Sequence, residues 1–132
     1  MSKILVFGVF DFFHLGHLRL FKQAKKYADY LIVAVQDSNY VTKFKPNSKV
    51  LYSTDQKIEI IKEIKLVDNV IIYTEATPSF LNTLEFDILA LGEDQLGERF
   101  DKLIKWCENN NKKIVRLKRT KNISSSDIKT QM

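Results

Sequence analysis

The sequence predicts an α/β fold, a three-layer sandwich with helices on both faces of a five-stranded parallel sheet. Two observations carry this prediction. Five short apolar runs rich in β-formers alternate with segments of helical period, which is the pattern of repeated βαβ units. The first two runs are continuously apolar, as expected of strands covered on both faces.

The elements follow in order. Lys3–Val9 (KILVFGV) reads as a buried strand. Over Leu15–Ala28, Leu15, Leu18, Phe21, Ala24 and Ala28 fall on one side and Arg19, Lys22, Lys25 and Lys26 on the other, which predicts an amphipathic helix. Tyr30–Val35 (YLIVAV) is a second strand, so the first 35 residues form one right-handed βαβ unit. Residues 36–52 are polar and irregular. Ser53 and Gln56 have the spacing of a capping box, and Ile58, Ile61 and Ile64 share a face of the helix that follows. Asn69–Ile72 is a third strand. Thr77-Pro78 starts a helix, with Thr as N-cap and Pro in the first turn. Ile88–Leu91 is a fourth strand ending at Gly92, Phe100–Glu108 a helix, and Lys113–Leu117 a fifth strand. Arg119–Lys129 closes the chain with a Ser/Asp-rich helix start. Trp106 and Cys107 read as packing residues of the Phe100–Glu108 helix.

The chain has 132 residues, enough for one domain (1–132) with a core that needs no disulfide or structural metal. The single cysteine, Cys107, excludes an internal disulfide and points to a reducing compartment, so a cytoplasmic protein is expected. Residues 1–10 lack the features of a signal peptide, and no apolar run approaches the ~20 residues of a membrane span. A net charge of +5 favours an anionic partner. A nucleic-acid-binding module would suit that charge. However, the basic residues are spread over helices and loops and most aromatics lie in apolar runs, unlike the interleaved surface of an RNA binder.

In a parallel sheet of this kind, ligands bind at the carboxyl ends of the strands. The segment leaving the first strand is Gly8-Val9-Phe10-Asp11-Phe12-Phe13-His14-Leu15-Gly16-His17. Gly8 would let a ligand approach the backbone, and Gly16 keeps the helix start open. His14 and His17, the only histidines, stand three apart at the positive end of the helix dipole, where phosphate is stabilised. Two histidines at this spacing near Asp11 could also hold a metal, or merely cap the helix.

The G-x-F-D turn followed by H-x-G-H resembles the signature of the cytidylyltransferase-like nucleotidylyltransferases. The chain is most similar to the glycerol-3-phosphate cytidylyltransferases among them. The resemblance runs over nearly the whole length, element order included, and implies the Rossmann-like nucleotidylyltransferase fold. It also implies a nucleotide site made by Gly8, Val9, Phe10, Asp11, His14, Gly16 and His17. The family's closing R-T-x-G-I-S-T-[ST] segment is matched by Arg119-Thr120-Lys121-Asn122-Ile123-Ser124-Ser125-Ser126, with Asn122 where glycine is usual. There Arg119 offers a planar fork, and Thr120, Ile123, Ser124 and Ser125 offer hydroxyls and amides, to a triphosphate.

By the same resemblance, Lys43 and Lys45 contact phosphates of nucleotide and acceptor. Asp11, Lys43 and Lys57 belong to the acceptor site, Lys57 standing where an arginine is usual. The Gly92-Glu93-Asp94 turn is expected to lie beside the base and ribose, with Gln95 where relatives have tryptophan, and the Thr77-Pro78 loop to border the acceptor pocket. His14, His17, Lys43, Lys45 and Arg119 are the expected catalytic groups. No protein metal ligands are expected, and Mg²⁺ would act with the nucleotide. The implied reaction moves CMP from CTP to a phosphorylated polyol, with glycerol 3-phosphate as first candidate, in a homodimer. The alternatives are adenylyl or cytidylyl transfer to a sugar phosphate, flavin mononucleotide, phosphocholine or phosphoethanolamine.

Overall fold

The computed structural model describes residues 2–8, 10, 15–37, 53–93 and 95–118. Val9, Asp11, His14, Lys43, Lys45, Asp94, Arg119, Thr120, Ile123, Ser124 and Ser125 therefore lie outside the described residues. Five strands, β1 (Lys3–Gly8), β2 (Tyr30–Gln36), β3 (Asn69–Tyr73), β4 (Ile88–Gly92) and β5 (Lys113–Leu117), form one sheet in the order β3-β2-β1-β4-β5. Every pairing is parallel. Four helices are described: α1 (Leu15–Lys25), α2 (Thr54–Lys62), α3 (Pro78–Leu81) and α4 (Glu98–Asn109).

The predicted architecture is therefore present, and the alternation of side chains along the central strands explains its three layers. Ile4 and Val6 of β1 pack with Phe21, Ala24 and Ile61 of α1 and α2 on one face. Leu5 and Phe7 pack with Leu81, Leu103 and Cys107 of α3 and α4 on the other. Both faces are closed, so β1, β2 and β4 are apolar along their length. The edge strands β3 and β5 each begin and nearly end with an exposed residue, and both bury their last, Tyr73 and Leu117. Burial is also the first cause of two raised pKa values. The Tyr73 phenol is pushed up to about 12 despite the opposing charge of Arg99. The Cys107 thiol is pushed up to about 11, with Lys112 opposing and Glu108 adding.

Local chemistry sets the helix ends. The expected capping box forms, with Ser53 Oγ accepting from Gln56 N and Gln56 Oε1 from Ser53 N. Thr77 Oγ1 caps α3 by accepting from Phe80 N. Two helix boundaries differ from expectation by two residues or more. α1 stops at Lys25 rather than Ala28, because Lys26 and Tyr27 donate three residues back, to Gln23 and Ala24, in a tightened last turn. Ala28 is still buried against the same core. α4 starts two residues early at Glu98, with Gly97 as N-cap at φ 112°. Its far end closes through Asn111 at φ 59°, with Lys112 N donating to Cys107 O, the bond of a Schellman turn.

Asp68 ties α1 to the sheet: Oδ2 accepts from Lys25 Nζ at 2.6 Å and from Leu31 N at 2.8 Å. Among the described residues no helix is long and apolar enough to cross a membrane.

Candidate active site

All five strands point their carboxyl ends to one edge of the sheet. The strand order reverses between β1 and β4, the place where open α/β sheets bind ligands. Gly8 ends β1, Gly92 ends β4, and α1 begins beside them.

The chain leaves β1 through Phe10, which holds a left-handed backbone at φ 54° although it carries a bulky side chain. Its ring turns back into the protein and is buried, meeting Phe21 edge-on at 5.6 Å and His17 edge-on at 5.1 Å. This gives Gly8 a duty other than the one expected. A Cβ at Gly8 would lie 2.4 Å from Phe10 Cζ, so the space above Gly8 is filled by that ring rather than left open to a ligand. His17 is half-buried in the first turn of α1, propped by Phe10 from below. An imidazole there sits at the positive end of the helix dipole, where phosphate is stabilised.

At the end of β4 the turn containing Asp94 is bound on several sides. Gln95 N donates to Gly92 O at 3.1 Å, and Gly92 N donates to Gln95 Oε1 at 2.8 Å. Arg116 Nη1, from neighbouring β5, donates to Gly92 O at 3.1 Å and Gln95 O at 2.7 Å. Glu93 N donates to Leu117 O. Sequence reasoning marked Gln95 only as a departure and missed Arg116. An arginine on an edge strand carries no local signal that it serves a turn 21 to 24 residues away.

Lys57 lies in the first turns of α2, whose start is tied to the end of β2 by Thr54 Oγ1 donating to Asp37 Oδ1. It is the one buried charged residue among those described, at 1% exposure, although sequence reasoning gave it to the acceptor site. Thr77 and Pro78 do line a pocket, an open one of about 330 Å³ between the starts of α3 and α4. Glu75, Glu98, Arg99 and Lys102 supply its charged groups. No group of three or more His, Cys, Asp or Glu side chains able to hold a metal occurs among the described residues.

A doubly wound parallel sheet, with a histidine at the helix start beside its switch point, defines a nucleotide-handling α/β protein. Comparison with known proteins makes this specific. The cytidylyltransferase-like family model matches residues 5–131, and the chain belongs to that family. It is a nucleotidyltransferase. It is 33% identical over 134 residues to a glycerol-3-phosphate cytidylyltransferase of Bacillus spizizenii, covering 100% of this chain and 98% of the relative. It is also 37% identical over 122 residues to an FAD synthase of Methanohalophilus mahii, covering 89% and 82% respectively. Among solved structures, a lipopolysaccharide core biosynthesis protein from Thermoplasma volcanium superposes with a TM-score of 0.77. It shares 28% identity, over 91% of this chain and 98% of that one.

Proposed function

We propose that the protein transfers CMP from CTP to a phosphorylated small polyol, glycerol 3-phosphate first among candidates, and releases pyrophosphate. The observation that carries this reading is the end-to-end match to a glycerol-3-phosphate cytidylyltransferase. The position of His17 at the α1 start supports it.

The acceptor phosphate needs no general base, since its second pKa is about 6. One of its oxygens attacks the α-phosphorus of CTP, a new P–O bond forms, and the bond to the bridging oxygen breaks with pyrophosphate as leaving group. Positioning and neutralisation of the spreading negative charge are what the protein must supply. His17 and His14 donate to the α- and β-phosphates in this reading. The α1 N–H groups add their dipoles, and Lys43, Lys45 and Arg119 add charge. Mg²⁺ would supply further charge neutralisation when bound with the nucleotide. It binds mainly through substrate phosphates with one or two carboxylates, so it is expected to arrive with the nucleotide. The Gly92–Gln95 turn would face the base and ribose.

The pocket between α3 and α4 would take the acceptor. Arg99 and Lys102 suit its phosphate, Glu75 and Glu98 its hydroxyls. The full-length reading includes a homodimer in the cytoplasm, with the oligomer measured by light scattering.

A second reading is adenylyl transfer to flavin mononucleotide, favoured by the similarity to an FAD synthase. Pyrophosphate release decides between them, with CTP or ATP crossed against glycerol 3-phosphate, longer polyol and sugar phosphates, flavin mononucleotide and phosphocholine. CTP with one polyol phosphate should stand above all other pairs. H17A should lower that rate by about two orders of magnitude, the scale of one lost transition-state donor. The highest rate with ATP and flavin mononucleotide, or an unimpaired H17A, would sink the first reading.

A further inference from the structure

The open pocket of about 330 Å³ between the starts of α3 and α4 belongs to the carboxyl edge of the sheet. Residues 75–78 follow the end of β3, which Asp37 N ties to β2 by donating to Tyr73 O at 2.8 Å. Glu98, Arg99 and Lys102 stand in the first turns of α4, which follows β4. Leu81 of α3 and Leu103 of α4 are fully buried in one core cluster, so the two walls of the pocket are fixed to each other.

Four charged side chains line the pocket. Two are carboxylates, Glu75 and Glu98, and two are cations, Arg99 and Lys102, so it is neutral as a whole. The two cations are not equivalent. Lys102 Nζ lies 3.8 Å from Glu98 Oε1, one turn away on the same helix. Arg99 enters no ion pair or hydrogen bond among the described residues. Its charge acts instead on the Tyr73 phenol at the end of β3. That leaves a planar fork at the sheet edge, the shape that matches two oxygens of a phosphate. Glu98 is neutralised by Lys102 yet keeps capacity to accept. An ionised carboxylate has about four lone-pair sites, more than one ammonium takes, and hydroxyl donors suit the rest. None of the described lining residues is aromatic. The pocket therefore offers neither a stacking face for a flavin ring nor the aromatic cage that holds a trimethylammonium group. A tail bearing a second anion would meet two carboxylates.

We infer that Arg99 selects the acceptor's phosphate and that Glu98, held by Lys102, selects hydroxyls on its tail, so that the pocket admits a phosphomonoester with a neutral, hydroxylated tail. The inference rests on the nucleotidyl-transfer reading and deepens it. It names the two residues that choose the acceptor, and it places that choice on α4, apart from His17 on α1.

The test compares wild type, R99K, R99Q and E98A in the full chain, with pyrophosphate release followed in CTP and Mg²⁺. KM is measured for the acceptor and for CTP separately. The acceptors are glycerol 3-phosphate and propyl phosphate, a three-carbon phosphomonoester without free hydroxyls, beside phosphocholine and flavin mononucleotide. Wild type should favour glycerol 3-phosphate over propyl phosphate by about a hundredfold or more in kcat/KM, because a site that bonds hydroxyls rejects an analogue lacking them. R99Q should raise KM for glycerol 3-phosphate about tenfold or more and leave KM for CTP within about twofold. R99K keeps the charge without the fork and should fall between. E98A should narrow the ratio between glycerol 3-phosphate and propyl phosphate about tenfold, since the freed Lys102 attracts both phosphates alike. An R99Q with unchanged KM for glycerol 3-phosphate, or an E98A with an unchanged ratio, overturns the inference. So does a wild type that prefers phosphocholine or flavin mononucleotide. Both residues are exposed, so Tm should hold within a few degrees. An R99Q whose two KM values rise together with a lowered Tm is ordinary loss of structure and also overturns it. If wild type releases no pyrophosphate with any of the four, the functional reading falls and this inference with it. An active wild type with unimpaired variants removes the inference alone.

Discussion

Replacing Gly8 with alanine tests the link between the end of β1 and His17 directly. The added Cβ would stand 2.4, 2.6 and 2.8 Å from Cζ, Cε2 and Cε1 of Phe10. Comfortable carbon–carbon separation is about 3.5–4.0 Å, so the ring must retreat by about 1 Å or more. It has little room to do so. It is 4% exposed, its backbone is already at φ 54°, and it is wedged between Phe21 and His17. The displacement is passed to the imidazole that meets it edge-on. Overpacking of this kind costs about 1–3 kcal/mol, enough to lower Tm by several degrees. A misplacement near 1 Å at a reacting centre costs about 10²-fold in rate.

G8A should therefore stay folded, melt several degrees lower and turn over about 10²-fold more slowly. The assay is pyrophosphate release beside thermal unfolding for wild type, G8A, F10L and the double variant. Leucine at position 10 removes the ring atoms that the methyl would strike, so the double variant should lose less than the sum of the single losses. Additive losses, or a G8A with normal turnover, would refute the reasoning and return Gly8 to the role of leaving room for a ligand.

Two further outcomes follow from the hydrogen bonds. R116A removes both donations to the carbonyls of Gly92 and Gln95 and should raise KM for CTP about five- to tenfold, with kcat within about twofold. Equal effects on the KM of the acceptor would detach the turn from the nucleotide. D68A should cost about 1–2 kcal/mol in urea unfolding at pH 7, since it strips the partner of the amide of the buried Leu31. Desolvation raises the Asp68 pKa, but the Lys25 hydrogen bond, the Leu31 amide and the Lys25 charge outweigh it, so the folded value lies below 3.8. The stabilisation is therefore full above about pH 4 and fades as pH falls through the folded value. The gap between wild type and D68A should narrow as pH falls below about 4; a gap unchanged down to the acid unfolding transition would exclude linkage to this carboxyl.

The fold was legible because its signals are local and repeated. The central strand β1 and its neighbour β2 announce burial on both faces by composition, and Ser53, Gln56 and Thr77 announce helix starts by hydrogen-bond chemistry within three residues. Helix ends were less legible. Ala28 continues the apolar stripe of α1 and is buried as that stripe implies, yet the backbone has already left the helix at Lys25. Periodicity reports which face is buried, not which carbonyl the next amide chooses.

The place of His17 in the first turn of a helix leaving β1 was legible, because that signal sits in one segment; what depends on geometry from afar was not. Phe10 reads as part of a ligand loop until its ring is seen to turn inward. Gln95 shows the same limit from the other side. In place of the usual tryptophan, it looks like the loss of an aromatic beside the base. In the fold, its amide closes on Gly92 while Arg116 holds the opposite carbonyls, so the side chain shapes the turn from inside. Gln23 of α1, whose amide bonds both Lys118 N and Lys118 O, does for Lys118 what Arg116 does for Gly92. Both are polar residues on elements outside the motifs, and both satisfy main-chain groups at the carboxyl edge that would otherwise rely on water. A turn held this way can change its own sequence, as at Gln95, provided the distant holder is kept. Substitution of Arg116 should therefore damage nucleotide handling more than the departures within the motifs suggest.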